Sequence, residues 1–105
     1  MPFEVTRPIE QLKAEAVARV NAQAGQIILA RLPQWKQSNL TARAVELQSI
    51  GPAQWGVDEQ AEWDYIQSEW DWVKSIRAES NAAVEAINAA NHMAEIRAIE
   101  AEAFA

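Results

Sequence analysis

Residues 57–104, VDEQAEWDYIQSEWDWVKSIRAESNAAVEAINAANHMAEIRAIEAEAF, contain neither proline nor glycine. Ala, Glu, Ile and Trp dominate, and the two strongest helix-stopping residues are missing, so the stretch reads as one very long helix. Trp63, Ile66, Trp70, Val73, Ser80, Val84, Ile87 and Ala94 follow a seven-residue repeat interrupted at Arg77 and Asn91, the spacing of an imperfect coiled-coil seam. A second stripe through Ile76, Ala83, Ile87 and Ala90 widens the apolar face, as expected of a helix with more than one neighbour. Ser80-Asn81 and Asn91-His92 are the places where such a helix would break.

Upstream, residues 50–57 read as a loop. Gly51-Pro52 ends the preceding helix, and Gly56 stands at the N-cap position with Glu59 three residues later, half of a capping box. Leu32-Pro33 marks a kink, because proline disfavours helical geometry in the residue before it and has no N–H to donate. The first helix carries Ile9, Leu12, Ala16, Val20 and Ile27 at helical spacing, with Thr6 as cap, Pro8 in the first turn, and Glu15 and Arg19 as a surface pair. Gly25 weakens it by ~1 kcal/mol relative to Ala. The second carries Trp35, Leu40, Ala44 and Leu47 on one side.

The expected architecture is therefore all-α. Two shorter helices, at about 7–32 and 33–49 and kinked at Pro33, pack on one long C-terminal helix at about 57–104. The expected form is a helical hairpin or bundle with coiled-coil character, in a single helical domain over residues 1–105 with an extended arm at 1–6. Its core is Leu12, Val20, Ile27, Leu40, Leu47, Trp63, Ile66, Trp70, Val73, Val84 and Ile87.

A helix of ~48 residues would extend about 70 Å, whereas a compact domain of this size is ~35 Å across. Residues 88–105 thus read as a partner-binding extension, since Met93, Ile96, Ile99 and Phe104 would otherwise be exposed together. Trp55, Trp63, Trp70, Trp72 and Tyr65 form an aromatic belt. Trp72 lies about 200° around the helix from Trp70 and cannot share its surroundings. Trp35, Trp55 and Trp72 join the four C-terminal residues as candidate protein-interaction positions, because Trp suits a surface with an apolar body and a polar handle.

Composition narrows the function. The chain has 105 residues, half of them apolar, with five Trp and a net charge of −6. That charge argues against nucleic acid, whose binding is driven by Lys and Arg. Without Cys there is no disulfide, thiolate nucleophile or Cys-ligated zinc. No run approaches the ~20 apolar residues that span a bilayer, and residues 1–10 lack a basic start followed by an apolar stretch, so neither membrane insertion nor secretion is expected.

Charge is segregated along the chain. Asp58, Glu59, Glu62, Asp64, Glu69 and Asp71 lie in a stretch without a base, while Arg31, Lys36 and Arg43 lie in one without an acid. The plainer explanation packs the second helix against the start of the third with these charges facing across a solvated rim; the sharper one is an acidic patch that docks a basic partner.

No catalytic, cofactor-binding or metal residue emerges. His92 is the sole histidine and Asn88 occupies the position four before it, where a metal pair would need an acid. Glu62, Glu69 and Asp71 lack a supporting base, and Gly25, Gly51 and Gly56 form no phosphate loop. The chain reads as a non-enzyme without a cofactor.

The segment IILARLPQWKQSNLTARAVEL, residues 27–47, resembles a run found in small tail-associated proteins of bacteriophages and prophages. Pro33, Trp35, Lys36, Gln37, Asn39 and residues 42–47 carry the likeness. Gln54-Trp55, the acidic stretch 58–63 and residues 72–80 follow in similar order and spacing, so that the resemblance covers roughly residues 9–87. The chain departs from the pattern at Gly56, where many members have Thr or Ser, and in its Ala-rich end after Ile87. The resemblance implies a structural or assembly role through helix-mediated contacts with a tail or tail-fibre protein, or with copies of itself. It implies a place in the host cytoplasm during assembly, or in the virion tail. The alternative is a small acidic host-takeover inhibitor that blocks a host protein.

Overall fold

The computed structural model describes residues 7–105. Helix α1 spans Ile9–Arg31, α2 Gln34–Ile50, α3 Val57–Ala89 and α4 Met93–Glu102, with one 3-10 turn at Pro52–Gln54. No strand occurs among the described residues, so the chain is all-α as expected. The arm at 1–6 and the Thr6 cap lie outside the described residues.

Proline sets the first corner. Leu32 leaves helical geometry although its N–H still reaches the Ile28 carbonyl at 2.7 Å. The Lys36 N–H, which a continuing helix would give to Leu32, goes to Pro33 instead at 2.9 Å, and the Gln37 side-chain amide takes over the Leu32 carbonyl at 2.8 Å. The second corner depends on glycine: Gly51 has φ 90°, a left-handed geometry that costs a side-chain-bearing residue a clash.

The long C-terminal helix is corrected. α3 has 33 residues, about 50 Å, and stops at Ala89; residues 90–92 leave the helix and α4 starts afresh after His92. The break falls at Asn91-His92, one of the two expected places, and burial gives α4 its direction. Ile96 is 2% exposed in a cluster with Ala16, Val20, Ala83, Ile87 and Ala90, and Ile9, Leu12, Val17, Val84, Ile99, Ala103 and Phe104 pack against it. Fully burying one such side chain stabilises by about 1.5–3 kcal/mol, which a helix running straight into water would forgo. Lys13 closes the end of α3 by donating from Nζ to the Asn88 carbonyl at 2.9 Å.

The chain divides into two compact units. One takes the described residues up to Gly25 and Ile76–Ala105; the other is Gln26–Ser75. The first is built on the cluster around Ile96. It also holds a polar contact in which the hydroxyl of the buried Ser80 donates to Oδ1 of the exposed Asn21 at 3.1 Å. The second buries Ile28, Leu32, Leu40, Leu47, Ile66 and Val73.

Buried positions along α3 and just beyond fall at Ile66, Glu69, Val73, Ile76, Ser80, Ala83, Ile87 and Ala90, in alternating steps of three and four. One line of this stripe lies a residue earlier than the sequence suggested. The expected line through Trp63, Trp70 and Val84 also carries Arg77 and Asn91, whereas its neighbour carries Ile76 and Ala90; Trp63, Trp70 and Val84 are half-buried beside it. In α1 and just beyond, the buried positions run in steps of four, Ala16, Val20, Ala24, Ile28 and Leu32, which leaves Ile27 and Leu12 half-buried.

Candidate protein-docking surface

Leu40 and Leu47 fix which side of α2 faces its own unit. At 100° per residue, Trp35, Ser38, Ala42, Val45 and Ser49 lie within an arc of about 80° on the opposite side, and all five are exposed. Trp35 is 66% exposed. Charge is confined to the border, where the exposed Glu46 stands about 20° around the helix from Trp35. The helix carries Lys36, Arg43 and Glu46 as its only charged residues; the two bases are half-buried, and Glu46 is occupied by Arg43 at 2.9 Å. A Trp among small uncharged residues matches the core of protein–protein interfaces, where charge is depleted and aromatic residues are enriched.

The other interaction candidates separate by environment. Met93 is exposed at the start of α4. Ile96, Ile99 and Phe104 are not a free apolar end: Ile96 is buried and the other two pack on its cluster, so the partner-binding extension at 88–105 is corrected to a helix folded back on its own unit. Trp55 is half-buried; its indole Nε1 donates to the Leu47 carbonyl at 2.8 Å and its ring lies 5.2 Å from that of Trp63. Trp72 is covered by the Arg31 guanidinium, 4.4 Å from the ring centroid.

Arginines absorb much of the acidic stretch. Arg31 makes two hydrogen bonds of 3.1 Å to Glu69, a residue 6% exposed, while Arg43 grips both carboxylate oxygens of Glu62. The second and third helices thus meet through Arg43 and Glu62 in the manner of the plainer explanation above, whereas Arg31, at the end of α1, ties that helix to α3 at a buried carboxylate. The hydrogen bond from Arg43 holds the Glu62 carboxyl below its ordinary value and raises the arginine's own. The anticipated Glu15–Arg19 pair is replaced: Arg7 bonds to Glu15, and Arg19 reaches across to Glu100 on α4.

Val57, 87% exposed, borders an open depression with Trp55, Gln60 and Asp64. Among the described residues no three acidic or histidine side chains converge as a metal site, and no helix is long and apolar enough to cross a membrane. The expected placement of Trp35 on one side of α2 with Leu40, Ala44 and Leu47 is corrected: at 100° per residue it stands about 120–140° from Leu47 and Leu40, on the exposed side, because the buried side is fixed by the two leucines. Comparison with known protein families, characterised proteins and solved structures finds no match for this chain.

Proposed function

We propose that this chain is a bacteriophage tail-associated structural or assembly protein that docks on a tail or tail-fibre protein through the outer face of α2. The observation that carries the reading is Trp35, exposed at the head of a face whose charge is confined to its border. Several residues of the phage-like segment, Trp35, Asn39, Ala42 and Val45, lie on or beside that face. The three-and-four burial of α3 supports a coiled-coil-like packing of the helices behind it.

The rival reading, an acidic inhibitor of a host protein, draws on the same chain less well. Glu62 and Glu69 are already bound to arginines of their own unit, and Asp71 lies 4.0 Å from Lys74, which leaves a thinner field for a basic partner.

Mass spectrometry of purified phage particles and of tail intermediates from the producing cells tests the proposal. A permanent component remains in finished particles; an assembly factor accompanies tail or fibre protein and is lost on completion. Absence from both fractions overturns the proposal.

A further inference from the structure

The local hold on the break at residues 90–92 is slight: Ala90, Asn91 and His92 include neither Gly nor Pro, His92 offers no side-chain cap to α4, and a long bond of 3.4 Å from the Asn91 N–H to Glu95 Oε2 ties the turn locally. Two contacts made at a distance add to it. Ile96 and its neighbours seat α4 on Ala16, Val20 and Ile87, and Lys13 Nζ occupies the Asn88 carbonyl. That carbonyl is the acceptor that the His92 N–H would take, four residues on, if α3 continued. Lys13 is therefore a latch on the helix end.

We propose that residues 90–92 are a hinge through which α4 exchanges between two copies of this chain, α3 and α4 joining into one continuous helix whose end docks in the other copy's groove. The occupant is given by the fold itself. A groove that fits Ile96, Ile99 and Phe104 of its own chain fits the same residues of a second, and Arg19 finds the same Glu100. The exchanged and closed forms share the groove contacts of Ile96, Ile99 and Phe104 and differ at the hinge, where exchange gives up the Lys13 bond and the present seat of Ala90 and gains helical bonds in their place. A short hinge between strongly helical segments is the circumstance that invites such swapping. The proposal uses no residue of the α2 face, so each reading fails without the other.

The test combines light scattering with cross-linking. The full chain forms a dimer whose share rises with concentration, Lys13→Met and the pair Asn91→Ala with His92→Ala raise that share several-fold, and Asn91→Gly lowers it. Because the chain has no Cys, Arg19→Cys and Glu100→Cys can be placed in separate copies, mixed, unfolded and refolded together, and joined with a short bismaleimide. A covalent pair at twice the chain mass is expected. The chain carrying both substitutions sets the internal reach of the linker. A monomer at every concentration, or a dimer in which mixed copies never join through these two positions, overturns the exchange.

Discussion

The Leu47 carbonyl accepts two hydrogen bonds, one from the Gly51 N–H at 3.1 Å and one from the Trp55 indole at 2.8 Å. The first closes the last turn of α2 and the second ties the loop after it to the same atom. Trp55 is thus a brace between α2 and α3 rather than a free surface aromatic. Trp55→Phe keeps most of the ring and loses the donor, and is expected to lower stability by about 0.5–1.5 kcal/mol. Urea unfolding measures it; an unchanged midpoint would show that the second bond contributes nothing.

Two glycines make a matched pair with opposite signs. Neither Gly25 nor Gly51 has a heavy atom within 4 Å of where a Cβ would sit, so space does not distinguish them. Backbone geometry does. Gly25→Ala within α1 is expected to stabilise by about 0.5–1 kcal/mol, and Gly51→Ala at φ 90° to destabilise by about 1–2 kcal/mol. Thermal melts of the two variants check the difference in sign.

Arg31 serves the buried Glu69 and the Trp72 face together. Arg31→Met leaves a carboxylate in a protein-lined site without its cation, and a loss of about 1–3 kcal/mol is expected, moderated because the arginine side chain is 46% exposed. Glu69→Gln removes the charge that needs compensation and should cost less. Denaturation of both variants and their double variant yields the coupling between the two side chains; a coupling of zero would contradict the assignment.

Acid is expected to loosen the tie between α1 and α4. The hydrogen bond from Arg19 holds the Glu100 carboxyl below its ordinary value, outweighing the upward pull of burial. A depressed folded-state value contributes stability that is fully present above the unfolded carboxyl pKa of about 4.3 and is lost as pH falls through the lower, folded one. Glu62, held down by Arg43, acts in the same direction. Amide exchange in α4, followed from neutral pH to below pH 4, should quicken relative to α1 beyond the intrinsic chemical dependence, and Glu100→Gln should remove part of that response. A wild-type profile identical to that of Glu100→Gln would rule out this contribution.

The corners of the fold were legible because their causes are local. Pro33 forbids a donor and Gly51-Pro52 closes a helix whatever surrounds them. Asn91-His92 was legible as one of two places where the long helix would break, but the fold-back of α4 was not, since it comes from Ile96 finding Ala16 and Val20 and from Lys13 finding Asn88, contacts more than seventy residues apart in sequence. The same holds for Trp55 and Trp72. Their composition suggested an interface, and only their partners Leu47 and Arg31 reveal internal roles. Trp35 was readable as an interaction residue, whereas the face around it required knowing that Leu40 and Leu47 point the other way.

Docking through α2 is tested most directly at its head. Replacing Trp35 with a photoreactive benzophenone amino acid should leave stability within about 0.5 kcal/mol, as expected for an exposed position. Irradiation during phage assembly should then join the chain to a tail or tail-fibre protein identified by mass spectrometry, while the same probe at the exposed Asp71 gives no such product. Cross-linking from Asp71 but not from Trp35, or from neither position in cells that complete normal tails, would contradict the account.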